Sequence, residues 1–326
     1  MRVAITGASG HIGSCLVREL LKEKAQIKVL VHRSGKSLEG LPVEIIRGNL
    51  LDSQTLEKLC RDTDVVFHLA AQIAIDKKSA QNAREVNTEG TQNLAETCLK
   101  LKIPRLIHFS SIHALKVHPL DKLMDESREL ASNSKQVYES SKAEGERIIL
   151  HAAEKGLHAV ILSPTAVLGP CDYQHSYQGQ ALIRIYRNQL PVLVPGGYNW
   201  VDVRDVSRAA IASAEKGRKG ERYILGGRWY SLKELSELIS HISGQKTPKV
   251  VAPLFIARIG LPFIRLYSVM KGEHPLYTKD SLDILKESHR NISSGKAGKE
   301  LDFHPRPLIE SLRDTFEWYK QQGLMK

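Results

Sequence analysis

The chain has 326 residues, enough for two domains or for one α/β unit carrying a smaller lobe. Its content, 42% hydrophobic and 25% charged, is that of a folded globular protein and excludes disordered, collagenous and disulfide-scaffold classes. The net charge of +11 never places more than two like charges in succession, which describes a diffuse field suited to anionic ligands and not the dense stripe of a nucleic-acid binder.

In chain order, short β-branched runs are predicted as strands at Arg2–Thr6, Ile27–Val31, Val43–Arg47, Val65–Leu69, Arg105–Phe109 and Leu157–Ser163. Between most of them lie stretches with helical spacing, such as Ile12–Lys22 and Val86–Leu101. Strand and helix in alternation imply an α/β fold, a doubly wound parallel sheet of Rossmann type with helices on both faces. After Pro164 the pattern loosens. Gly, Pro and Tyr cluster at Gly169–Gly179 and Pro191–Tyr198, and helices are predicted at Val203–Lys216, Leu232–Ser243, Lys279–Lys286 and Leu308–Gln322. This divides the chain into a nucleotide-binding domain, 1–168 with a returning segment at about 198–227, and a smaller helical substrate lobe, 169–197 and 228–326.

Three features bear on location. The first strand begins at Arg2 and a glycine loop follows at Gly7, so no secretory leader is expected. Cys15, Cys60, Cys98 and Cys171 form no CxxC pair, so neither a zinc ribbon nor a redox dithiol is suggested, no metal is expected, and a reducing cytoplasmic setting is. The apolar stretch Val250–Leu266 is interrupted by Pro253, Arg258, Pro262 and Arg265. It is expected to be a buried or lid helix, neither a spanning nor an interfacial one.

Gly7, Ser9, Gly10, His11, Ile12 and Gly13 follow the first strand and open a helix. Glycines there permit a tight turn and close approach of backbone, and the helix start offers unpaired N–H groups to a pyrophosphate. This is the pattern of a dinucleotide site, with His11 read as a solvent-facing residue of the first turn. An NAD site usually carries an acid about twenty residues beyond the glycines. Here Arg33 stands at that distance and no acid lies between Lys24 and Glu39. A guanidinium can clamp a 2′-phosphate that a carboxylate would repel, so NADP is expected over NAD. Stacking of Arg33 on the adenine, which either cofactor allows, stays open.

Tyr138 and Lys142 are spaced i, i+4 at the start of a helical stretch, on one face. Phe109-Ser110-Ser111 ends the fifth strand. With the glycine loop, these residues resemble the Ser–Tyr–Lys constellation of the extended short-chain dehydrogenase/reductase superfamily. The resemblance continues through Val86-Asn87-Thr88-Glu89-Gly90-Thr91, Trp200–Val206 and Leu301–Leu308, in the family's order. It implies that Ser111 polarises a substrate carbonyl, that Tyr138 exchanges the proton, and that Lys142 binds the nicotinamide ribose. A phenol near pKa 10 needs a nearby cation to act at neutral pH, and Lys142 is expected to supply it. Further cofactor contacts implied are Asn49 and Leu50 near the adenine, Leu69, Ala70 and Ala71 beneath the cofactor, Asn87 in the fourth helix, and Pro164, Thr165 and Val167 after strand six. Asn49 stands where the family usually has aspartate.

The superfamily includes reductases, epimerases and dehydratases, so fold alone does not select the reaction. The Asp-Glu pair of dehydratases is replaced by Ile112-His113-Ala114, and the asparagine of many sugar-nucleotide epimerases by Ser163. The pattern most resembles dihydroflavonol-reductase-like carbonyl reductases. NADPH-dependent interconversion of a carbonyl and an alcohol is therefore expected, with a sugar or nucleotide-sugar epimerase and a noncatalytic NADP-binding scaffold as the alternatives. Tyr173, His175, Tyr177 and His113 are candidate pocket residues. The expected partner is a small-molecule substrate, with no nucleic acid or membrane; a homodimer stays open.

Overall fold

A strand covered on both faces needs a continuous apolar run, and β1 (Arg2–Thr6) is buried from Val3 onward. The computed structural model describes residues 1–72, 77–190, 192–259, 261, 282 and 285–325. Beside β1 stand β2 (Gln26–Val31), β3 (Glu44–Arg47), β4 (Val65–His68), β5 (Arg105–Phe109), β6 (Ala159–Pro164) and β9 (Arg222–Leu225). They form one sheet in the order β3-β2-β1-β4-β5-β6-β9, with every pair parallel. The order reverses between β1 and β4. In such sheets that reversal opens a crevice at the carboxyl ends of the strands, where ligands bind.

Helices cover both faces. On one, α1 (His11–Lys22) and α6 (Val203–Lys216) bury Leu16, Leu20 and Val206 against β1, β2 and β5. On the other, α2 (Ser53–Cys60), α3 (Lys77–Lys100) and α4 (Val137–Glu154) bury Leu56, Leu94 and Ile149 against Ala4, Val66 and Leu106. Alternate residues of β1 and β4 feed the two cores, as the two-residue strand period requires.

A second sheet, β10-β8-β7, joins β7 (Ala166–Leu168), β8 (Gly197–Asp202) and β10 (Arg228–Ser231). A third core lies under it, where α5 (Tyr177–Tyr186), α7 (Leu232–Ser243) and α9 (Leu308–Gln321) contribute Leu182, Leu235, Leu312 and Phe316. A short α8 (Gly295–Leu301) packs Ala297 and Leu301 back on the large sheet's first core. Ser231 and Glu234 form a reciprocal cap at the start of α7, which fixes where β10 turns into helix. Arg306 pairs with Asp205, and Arg204 with Asp202 and Asp314, tying α9 and its approach to the start of α6.

The predicted strands and helices recur with ends displaced by a few residues, except that α3 begins at Lys77, nine residues before the predicted start. The helices α2, α5 and α8 and the strands β7 and β10 had no predicted counterpart. The stretch Lys279–Lys286 lies largely outside the described residues, as does the second half of Val250–Leu266. Its described half departs from the expected burial. Ala252 and Ala257 are covered, but Val250, Phe255 and Ile259 are 65%, 65% and 69% exposed. The cysteines, distant in sequence, meet as two neighbouring free-thiol pairs, Cys15 with Cys171 and Cys60 with Cys98.

Candidate functional site

The glycine loop closes the carboxyl end of β1 onto that of β4. Gly7 has φ +71°, and a Cβ there would lie 2.6 Å from Ala70 N and from the Leu69 carbonyl carbon. A Cβ on Gly13 would lie 2.2 Å from Gly7 O. Only glycine lets the turn, the helix start and β4 approach this closely. The helix α1 has no side-chain cap and no acid in its first turn. Its leading N–H groups, at His11, Ile12 and Gly13, therefore lack intrahelical partners and face the crevice end of the helix. The loop fits the pyrophosphate of a dinucleotide. His11 itself is not free in solvent: its Nε2 lies 3.2 Å from Gly169 O and 3.0 Å from Pro170 O. It fastens the loop to the segment that follows β7.

From this loop a cleft of about 590 Å³ runs along the ends of β1, β2 and β4. Gly7, Ser9, Gly10, Arg33, Asn49, Leu50, Leu69, Ala70 and Ala71 all line it. Nine of the twelve residues predicted for the adenosine and pyrophosphate half thus converge on one wall system. Asn49 Oδ1 accepts from Leu51 N at 3.2 Å, so its carbonyl oxygen is engaged in the local turn. His32, Ser34 and Lys36 share the mouth with Arg33 and were not singled out from sequence. Their place in the loop after β2 was the available signal. Tyr173 and Gln174 roof the cleft. Gln174 Nε2 donates to Ser9 O at 2.9 Å, and Tyr173 is held by Arg18, 2.8 Å from its hydroxyl, and by an edge contact with Trp318.

Several predicted contacts sit elsewhere. Asn87 lies in the third helix, α3, not a fourth, and is buried and fully engaged: it accepts from Gln72 N at 2.8 Å and donates to Gln72 O and Ser141 Oγ, both at 3.0 Å. It positions the end of β4 against α4. Pro164, Thr165 and Val167 occupy the passage from β6 to β7, and Thr165 Oγ1 donates to Asn199 at 3.0 Å. None of these four, nor His11, Ile12 or Gly13, lines the cleft.

Ser111, Tyr138 and Lys142 come together at the carboxyl end of β5, beyond the cleft. Ser111 caps the short 3-10 turn after β5, accepting from His113 N at 3.2 Å. Tyr138 opens α4 with its phenol beside Ser111. Burial pushes that phenol's pKa above 10, and the Ser111 contact partly opposes the shift. Lys142, one turn on, is 5% exposed and donates to Phe109 O at 2.6 Å. Burial lowers its pKa to about 8, while the nearby Glu146 carboxylate acts the other way. The expectation that Lys142 lowers the phenol's pKa is not met by this arrangement. The ammonium is turned to a backbone carbonyl, and the phenol is governed by burial and Ser111.

Sequence reading missed what lies under Lys142. Glu146, four residues further along the same face, is fully buried, accepts from Ser110 Oγ at 2.8 Å and pairs with Arg222 of β9. Adjacent in register on β4 and β5 are His68 and His108, with ring centroids 5.2 Å apart. His68 bridges Thr6 and Thr91 at 2.7 and 3.0 Å. His108 has no hydrogen-bond partner for either ring nitrogen among the described residues. Burial foremost, then the charge of Lys142, lowers both imidazole pKa values, that of His68 to about 3. Both rings are neutral at physiological pH. Of the candidate pocket residues, His113 meets the Tyr138 ring edge-on at 6.3 Å, whereas Tyr177 opens α5.

With this geometry in place, three comparisons are informative. The sequence profile described as the NAD dependent epimerase/dehydratase family matches residues 3–226. The chain is 30% identical to a dihydroflavonol 4-reductase-like protein of Synechocystis sp., over 99% of this chain and 95% of that one. It is 26% identical, over the full length of both, to sterol demethylase protein B of Methylococcus capsulatus. The crystal structure of gox2253 superposes with a TM-score of 0.85 at 30% identity, over 100% of this chain and 99% of the other.

Proposed function

The chain belongs to the NAD dependent epimerase/dehydratase family, and from that premise we propose that it is an NADP(H)-dependent oxidoreductase interconverting a small-molecule carbonyl and its alcohol. The observation that carries this reading is the convergence of Ser111, Tyr138 and Lys142 at the end of β5, next to a cleft lined by Arg33, Ser34 and Lys36. When bound, the nicotinamide supplies or takes the hydride.

The residues of the chain do the rest. The unpaired N–H groups at the start of α1 hold the pyrophosphate, and Arg33 with Lys36 meets the 2′-phosphate, where an acid would repel it. Ser111 Oγ donates to the carbonyl oxygen and stabilises the charge that grows on it. Tyr138 gives its proton to that oxygen in reduction and recovers one in oxidation. A phenol with a raised pKa retains its proton at neutral pH, which suits the reducing direction. Lys142, held in a dry site with Glu146 beneath it, would keep an ammonium available to the ribose. The similarity to a dihydroflavonol 4-reductase-like protein supports a reductase.

The test has two arms. In fluorescence titrations, NADPH should bind more tightly than NADH, and Arg33→Asp should reverse that order. Tyr138→Phe should leave NADPH affinity nearly unchanged while turnover of any carbonyl substrate falls by roughly 10²–10⁴, the usual contribution of a general acid. Wild-type turnover in Tyr138→Phe would refute the assignment of the acid, and tighter NADH binding that of the cofactor.

A further inference from the structure

We propose that the apolar turn at residues 250–259 of the smaller lobe docks the protein peripherally on an anionic membrane surface. The segment is firmly built into the fold. Leu193 N donates to Val250 O and Ala252 N to Leu193 O, both at 2.8 Å, and Ser236 and Thr247 exchange hydrogen bonds with the backbones of Pro248 and Ser236. Behind it, Leu254, Ala257 and Leu261 pack on the lobe's core.

Its outer side is apolar too. Val250, Phe255 and Ile259 are each about two-thirds exposed, and Ile256 is about half exposed. A helical turn that is apolar on both sides is ordinarily covered, and contiguous exposed aliphatic and aromatic groups mark an interaction surface. What covers this one is indicated by the charge around it. From Leu238 to Ile259 the sequence contains no aspartate or glutamate, yet carries Lys246, Lys249 and Arg258, all three exposed.

Phenylalanine and isoleucine flanked by lysine and arginine is the chemistry of a surface that sinks its apolar groups to the acyl boundary and keeps its cations among anionic headgroups. A second copy of the chain fits poorly, because a basic patch facing itself brings like charges together. Among the described residues no helix is long and apolar enough to cross a membrane, so the contact is peripheral. Such docking would present the lobe to compounds dissolved in the lipid.

Co-sedimentation of the full chain with two kinds of vesicle tests this: phosphatidylcholine alone, and phosphatidylcholine with about one-third phosphatidylglycerol. At about 0.1 M salt the protein should pellet with the anionic vesicles only, and about 0.5 M salt should release it. Phe255→Ser combined with Ile259→Ser should abolish binding without changing the circular dichroism or the melting temperature, since both side chains are exposed. Lys249→Gln should weaken binding about fivefold, the factor for one basic residue near a charged bilayer. The proposal is overturned if wild-type protein fails to pellet, or if the double serine variant pellets as well as wild type. It is also overturned if light scattering shows a dimer that this variant dissociates, since the face would then belong to a second copy.

Discussion

Replacing Lys142 by methionine should make the protein more stable while removing its chemistry. Methionine keeps the length and most of the volume of the lysine stem, so the packing survives. The ammonium, by contrast, is costly where it stands. Its pKa falls from 10.5 to about 8 through burial, and at 1.36 kcal/mol per unit the charged form costs about 3 kcal/mol at pH 7. Methionine forfeits the hydrogen bond to Phe109 O, about 1 kcal/mol. The net gain at pH 7 is about 2 kcal/mol, equivalent to ~3 °C in melting temperature for a chain of this size. A base with a depressed folded-state pKa carries its full penalty below that pKa, and the penalty fades as pH rises towards the unfolded value. By pH 10 it has shrunk to about 1 kcal/mol, and the two proteins should be nearly equal. Urea unfolding at pH 7 and pH 10 measures both differences. A variant less stable than wild type at pH 7, or a difference that does not change with pH, would refute the account of Lys142 as a buried cation kept for function at the expense of stability.

Gly13→Ala puts a Cβ 2.2 Å from Gly7 O and 2.8 Å from Ala8 Cα, both backbone atoms. It should destabilise the fold by about 1–3 kcal/mol and weaken NADPH binding, as read by thermal melts and fluorescence titration. The buried imidazole of His68, with its pKa near 3, resists protonation that the unfolded chain accepts near 6.5. Stability should therefore fall as pH drops below 6.5, by about 2 kcal/mol at pH 5 from this group alone, with His108 adding in the same direction. Urea titrations from pH 7 to pH 5 should show that slope, and His68→Gln should flatten it; an unchanged slope would mean another group is responsible.

The parts of the site legible in the sequence are those fixed by local geometry. The glycine spacing gives the turn, the i, i+4 interval puts Tyr138 and Lys142 on one face, and the distance from Gly13 brings Arg33 to the mouth of the cleft. What escaped are contacts between elements remote in the chain. Ser110 and Ser111 look alike in sequence. The register of β5 against α4 sends one to Glu146 and the other to Tyr138. His68 and His108 become neighbours only because β4 and β5 align at those residues. Lys142 was assigned to the phenol because spacing shows which side chains share a face, but not which backbone carbonyl comes within reach of the amine. The exposed turn near Phe255 was read as covered because an apolar run has the same composition whether a core or another surface receives it.

The roof over the glycine loop depends on distant chain. Asp172 stands just before Tyr173 and Gln174; its carboxylate accepts from Ser176 N and Ser176 Oγ, and its third donor is the hydroxyl of Tyr319 in α9, 147 residues away. Arg204–Asp314 and Arg306–Asp205 span 110 and 101 residues in the same region. During synthesis, the strands of the large sheet up to β6 can pair while this roof still lacks its supports. Nearly half of the chain must be made between Asp172 and the hydroxyl that holds it. Contacts so remote form late and slowly, so a nascent chain would expose its dinucleotide crevice well before it could cover it.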